Sequence, residues 1–108
     1  MFDAKQADIP AKKLRDYLLS PVHPIGRFKS TFFRGLGYHR DHHEKLAEDI
    51  RSLLAVNAEF VGTTNFGTKY RVRGTIVGPN GRAAVIVTVW IILSGTAVPR
   101  FVTAYPED

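Results

Sequence analysis

The chain has 108 residues, 44% hydrophobic and 23% charged, which fits one globular domain with a modest core. It has no cysteine, which excludes disulfide and thiolate chemistry, and its longest apolar run, Val85 to Leu93, is interrupted by Thr88 and too short for a membrane-spanning helix. A formal charge of +5 favours an anionic partner, whether nucleic acid, an anionic membrane surface or an acidic protein, and the opening MFDAKQADIP lacks the apolar core of a signal peptide.

Residues 1–8 read as a loose leader to a single domain spanning 1–108. Asp8-Ile9-Pro10 is a helix-start pattern, because proline lacks only an N–H that the first turn leaves unused. Ala11 to Leu19 is then predicted helical, with Leu14, Tyr17 and Leu18 toward the core and Lys12, Lys13 and Arg15 in water. Ser20 to Pro24 is a stiff connector in which Pro24 biases His23 away from the α region. A second helix is predicted over Gly26 to Arg34, burying Phe28 and Phe32 in a stripe that Leu36 continues, and stopped by Gly35 and Gly37. Arg27, Ser30, Thr31 and Arg34 fall outside, and Lys29 lies at the border on the line of Phe33. The third helix lies within His39 to Val56, opened by a capping box of Asp41 and Glu44 and ended by Asn57, with Leu46, Ile50 and Leu53 or Leu54 buried.

Ala58 to Thr64 is predicted as an edge strand, and Asn65-Phe66-Gly67 turns it into the most informative stretch, Thr68 to Leu93. Two β-rich runs there flank Asn80-Gly81, the signature of a two-residue type I′ hairpin loop. With that loop, Tyr70, Val72, Gly74 and Ile76 face Ile91, Val89, Val87 and Val85 on an apolar side. Lys69, Arg71, Arg73 and Thr75 face Ile92, Trp90, Thr88 and Ile86 on the other. Arg100 to Tyr105 is the fourth strand. Alternation puts Thr103 and Tyr105 with Phe101 on one face and Arg100 with Val102 and Ala104 on the other, leaving open which set faces solvent. The order of elements predicts an α+β fold, with three N-terminal helices packed on one face of a four-stranded antiparallel sheet.

His39, His42 and His43 invite a metal reading, but no carboxylate or cysteine completes a ligand pattern and they overlap the capping box, so no metal or cofactor is expected. His23 suits general acid–base work, since its flanking prolines stiffen it; hydrogen bonding that merely pins the connector accounts for it equally well. Lys69, Arg71, Arg73, Thr88 and Trp90 on the open sheet face are candidates for binding phosphate and stacking a base. Arg27 and Arg100 are further candidates for substrate contact.

HPIGRFKSTFF, GPNGR, VTVWII and PRFVTAYP resemble a small bacterial domain family of unknown function, whose members share a KLxxYLLxPxHPxGRxKxxFF block and a VWI…PRxVTAYP ending. The match runs from Lys13 to Pro106. More distantly, helices followed by a four-stranded sheet ending in VTAYP are similar to the endonuclease-toxin superfamily that includes barnase, EndoU and RelE-type toxins. That resemblance implies metal-independent RNA cleavage on the open sheet face, with catalytic roles for His23, Lys29, Arg71, Thr103 and Tyr105. The predicted strands of this chain carry no histidine, unlike a superfamily member with a strand-borne catalytic His. The expectation is an endoribonuclease-like, toxin-derived domain, cytoplasmic, with RNA and a small acidic antitoxin or immunity protein as partners. The alternative is a non-catalytic module that uses the same basic face to bind an acidic protein or nucleic acid.

Overall fold

A computed structural model describes residues 6–20, 22–24, 27–55 and 58–107, without the side chains of Phe28 and Ala55. The expectations for residues 1–5, Pro21, Gly26, the Phe28 side chain, Val56 and Asn57 therefore lie outside the described residues.

The element order is helical first and β afterwards, as an α+β fold requires. A short helix, Ala11–Lys13 (α1), runs into a π-helical turn, Leu14–Leu18. The second helix, Arg27–Gly35 (α2), ends in a Schellman-type cap, with Tyr38 N–H bonded to Phe33 O (3.3 Å) and Gly37 N–H to Arg34 O (2.9 Å). A 3₁₀ turn, Arg40–His42, leads into the third helix, His43–Ser52 (α3), which a second 3₁₀ turn, Leu53–Ala55, extends. The expected capping box is not formed: His39 caps the first turn by accepting from Asp41 N–H (3.1 Å), and no side chain caps α3 itself.

Four antiparallel strands follow as a meander in sequence order: Glu59–Thr63 (β1), Gly67–Val77 (β2), Ala83–Leu93 (β3) and Pro99–Pro106 (β4). One sheet face holds Val72, Ile76, Ile86, Trp90, Phe101 and Ala104, which form a single core with Leu14, Leu18, Leu19, Phe33, Leu46, Ile50 and Leu54 from the helical half. Among the described side chains of α2, Phe33 is the fully buried aromatic and Phe32 is only partly buried against that core, while Leu36 is buried as expected. Ala7 and Asp8 are not loose. The Asp8 N–H bonds Pro99 O (2.9 Å), Phe101 N–H bonds Asp8 O (2.8 Å), and Arg51 holds the Ala7 carbonyl (2.7 Å).

The β2–β3 register differs from the expected one by one residue: Val72 pairs with Thr88, Tyr70 with Trp90 and Gly74 with Ile86. The loop has three residues, Pro79 to Gly81, closed by Gly78 N–H to Arg82 O (2.8 Å). A type I′ turn needs φ > 0 at both Asn80 and Gly81; only Gly81 has it (φ 86°), which matches a type I turn closed by a G1 bulge. The slip moves every β3 side chain to the other face. β3 tolerates this because it is apolar on both sides, so its own pattern cannot hold it in register.

A bulge in β4 changes its facing too. Trp90 pairs with Phe101 and Val89 with Thr103, which leaves Val102 as the extra residue. Neither alternating set survives: Phe101 and Ala104 face the core, while Arg100, Thr103 and Tyr105 share the opposite face.

Candidate active site

The open sheet face reads in rows: Lys69, Ile91 and Arg100; Arg71, Val89 and Thr103; Arg73, Val87 and Tyr105. Its arginines are engaged with carboxylates. Arg71 meets Glu59 (2.7 Å), Arg73 meets Glu107, and Arg100 lies 3.9 Å from Asp8. The hydrogen bond and charge of Glu59 raise Arg71 above the ordinary arginine value, with a smaller contribution from the Tyr105 hydroxyl. Thr88 and Trp90 are not on this face at all. Both are completely buried under the helices, where Trp90 Nε1 donates to Thr88 Oγ1 (2.8 Å) and Thr88 donates to Val72 O (2.9 Å). Their placement corrects the expectation that they contact substrate, and follows directly from the register.

The convergence of polar groups is instead at the β4 edge. In the π turn the Leu19 N–H reaches Leu14 O (2.8 Å), and Leu14, Leu18 and Leu19 are all buried. Tyr17 is left at the rim, with its ring against the core and its hydroxyl outward. In the connector the Ser20 hydroxyl accepts from the N–H groups of Val22 (3.3 Å) and His23 (3.2 Å), a local motif that competes with helix formation. The His23 carbonyl then accepts from Arg27 N–H (3.1 Å) at the start of α2. So held, the His23 ring stands edge-on to Tyr17, with centroids 5.1 Å apart.

Lys29 lies one helical turn before Phe33, so its stem follows the buried side and its ammonium emerges at the sheet edge. There Nζ donates to Tyr17 Oη (2.8 Å) and Thr103 Oγ1 (2.9 Å), and lies 6.0 Å from the centroid of the Tyr105 ring. The β4 bulge turns Thr103 toward it, and Lys13 Nζ bonds the carbonyl of the bulged Val102 (3.2 Å). No carboxylate pairs with Lys29 or Lys13 among the described residues, unlike the arginines of the open face.

An open cleft of about 600 Å³ lies over this cluster, lined by Lys12, Lys13, Asp16, Tyr17, His23, Val102 and Thr103. Burial alone would raise the Tyr17 hydroxyl. The hydrogen bonds from Lys29 and Thr103 and the charges of Lys29 and Lys13 outweigh it and lower the hydroxyl below its ordinary value. Asp16 is engaged by Arg15 (3.0 Å) and Arg40 (3.1 Å); the Arg15 hydrogen bond chiefly holds its carboxyl below the usual range.

Of the expected site residues, His23, Lys29 and Thr103 come together, with Tyr105 beside Lys29. Arg71, Arg73, Lys69 and Arg100 lie across the open face, and Arg27 is exposed at the start of α2. The helical pattern of the sequence puts Tyr17 in the core and Lys13 in water, and gives Ser20 no role beyond the connector. A phenol at the edge of a leucine stripe was the available signal for Tyr17. Among the described residues, no group of three or more His, Cys, Asp or Glu is placed to hold a metal ion. Nor, among them, is any helix long and apolar enough to cross a membrane.

A family profile described as "Domain of unknown function (DUF6883)" matches residues 1–108. No curated protein matches the chain. A chain of the solved structure described as a contact-dependent growth inhibition toxin–immunity protein complex from Klebsiella pneumoniae 342 is similar over 97% of each chain, with a TM-score of 0.74 and 21% identity. At that identity the likeness is one of fold.

Proposed function

The chain belongs to the family described as "Domain of unknown function (DUF6883)", and we propose that this domain is a metal-independent endoribonuclease-like module of toxin type. The observation that carries the reading is Lys29, an ammonium without a carboxylate partner among the described residues, donating to Tyr17 and Thr103, which line an open cleft together with His23. RNA brings its own nucleophile. The ribose 2′-OH attacks the adjacent phosphorus, so the protein has to accept one proton, donate another and stabilise a crowded, more negative phosphorane. His23 exchanges a proton, Lys29 places its third N–H on a phosphate oxygen, and Thr103 and Tyr105 orient the phosphate. Arg71 reaches the phosphate only by leaving Glu59, so its contribution is smaller than that of Lys29.

The similar solved structure is described as containing both a toxin and an immunity protein. A charge of +5 and a cleft lined by Lys12 and Lys13 favour the toxin-like role, because both RNA and a small acidic inhibitor complement them. The test is cleavage of total RNA by the purified protein in the presence of a chelator. Lys29→Ala is expected to slow it about 10²- to 10³-fold, by analogy with loss of one transition-state donor. The melting temperature should stay nearly unchanged. RNA binding without cleavage by the wild type would leave a basic binding module in place of an enzyme.

A further inference from the structure

We propose, resting on the ribonuclease reading above, that Tyr17 is a catalytic residue, the general acid that protonates the leaving 5′-oxygen, and that His23 is the general base. The reaction needs two proton transfers on opposite sides of phosphorus. The other three histidines, His39, His42 and His43, lie at the start of α3 and do not line the cleft, so His23 cannot be paired with a second imidazole there. Asp16 is bound by two arginines and held ionised, which makes it a poor donor and a weak acceptor.

Tyr17 has the right arrangement for a donor. Its oxygen accepts from Lys29 at 2.8 Å, so its own hydrogen remains for another acceptor. Within the protein the candidate is Thr103 Oγ1 at 3.5 Å, the limit of a hydrogen bond, and a substrate oxygen in the cleft would be a better one. The charged and titratable groups around it are Lys13 and Asp16 from its own helical segment, Lys29 from α2 and His23 from the connector, with Thr103 from β4 and Tyr105 across Lys29; of these Lys29, Thr103 and Lys13 lower its hydroxyl. Lys29 and Lys13 stabilise the phenolate that donation leaves behind, which is the direction a general acid needs. The step balances. His23 takes the 2′ proton, the 2′-oxygen bonds phosphorus, the P–O5′ bond breaks, and O5′ takes the Tyr17 proton. The products are a 2′,3′-cyclic phosphate and a 5′-hydroxyl, and water then takes the proton from His23 and restores one to Tyr17.

The test uses a linkage that the wild type cleaves in total RNA, synthesised with oxygen or with sulfur at the bridging 5′ position. A thiolate leaves without protonation. Tyr17→Phe, which keeps the ring beside His23, is expected to slow cleavage of the oxygen linkage about 10²- to 10⁴-fold and to regain most of the wild-type rate on the sulfur linkage. His23→Ala should be slow on both. Equal losses of Tyr17→Phe on both linkages, or no loss on either, would overturn the assignment while leaving the ribonuclease reading intact. A wild type that cleaves no RNA overturns both. Should Tyr17→Phe not fold, the wild type decides alone: the alkaline limb of kcat/KM, from an acid below the ordinary tyrosine value, is expected on oxygen and absent on sulfur. Its persistence on sulfur counts against Tyr17.

Discussion

Thr88 relays one hydrogen bond to another inside the core, accepting from the Trp90 indole and donating to the Val72 carbonyl. Thr88→Val keeps the shape but leaves a buried N–H without its partner, which costs about 1–3 kcal/mol. Urea denaturation should register that loss, and cleavage per folded molecule should be unaffected. A selective loss of RNA binding would return Thr88 to the substrate face. Lys29 is the opposite case: its two hydrogen bonds, to Tyr17 and Thr103, lie at the rim of a cleft, and on the proposed function its removal is expected to slow cleavage more than it lowers stability.

At the scale of elements, the β2–β3 hairpin is fastened to α2 at its tip. Asn80 N–H bonds Leu36 O (3.2 Å), the Asn80 amide bonds Gly35 O (2.9 Å), and a side chain on Gly78 would meet Leu36 O at 2.0 Å. The helix end therefore helps to set the loop that sets the register. Gly78→Ala drives the tip off α2 and is expected to destabilise by about 1–3 kcal/mol, as overpacking does. Thermal unfolding checks it. An unchanged melting temperature would mean that this contact does not hold the tip. The connector works similarly at the other end of α2, where Ser20 and the first α2 N–H fix the backbone of His23 between them.

Across the whole molecule, pH acts through Tyr38, which is buried where the α2–α3 connection meets α3 and donates to Asp49 (2.6 Å). Burial, then the Asp49 hydrogen bond and charge, push its hydroxyl well above the ordinary 10.0. A raised folded value favours the neutral phenol. Its stabilisation is complete below about pH 10 and is lost as pH climbs from there through the folded value. Melting temperatures are expected to fall across that alkaline window, and to fall less steeply in Tyr38→Phe, whose unfolding no longer releases this proton. Parallel falls in both proteins would place the alkaline loss elsewhere.

Helical periodicity and strand alternation are local, and they made the α+β order, the buried Leu14, Leu18, Leu46 and Ile50, and the outward Arg71 and Arg73 legible in the sequence. Quantities that depend on two segments at once were not. β3 is apolar on both faces, so a loop of three residues in place of two decided whether Trp90 stacks on a base or fills the core. A single bulge at Val102 broke the period of two in β4 and put Arg100, Thr103 and Tyr105 on one face. His23, Lys29 and Thr103 were each named from the chain, yet Tyr17, which joins them, reads as one more residue of a leucine stripe until a π turn brings it to the sheet edge. Side-chain pattern within an element is written residue by residue in the sequence. Register, bulges and the meeting of α2 with β4 are settled only when whole elements compete for the same core.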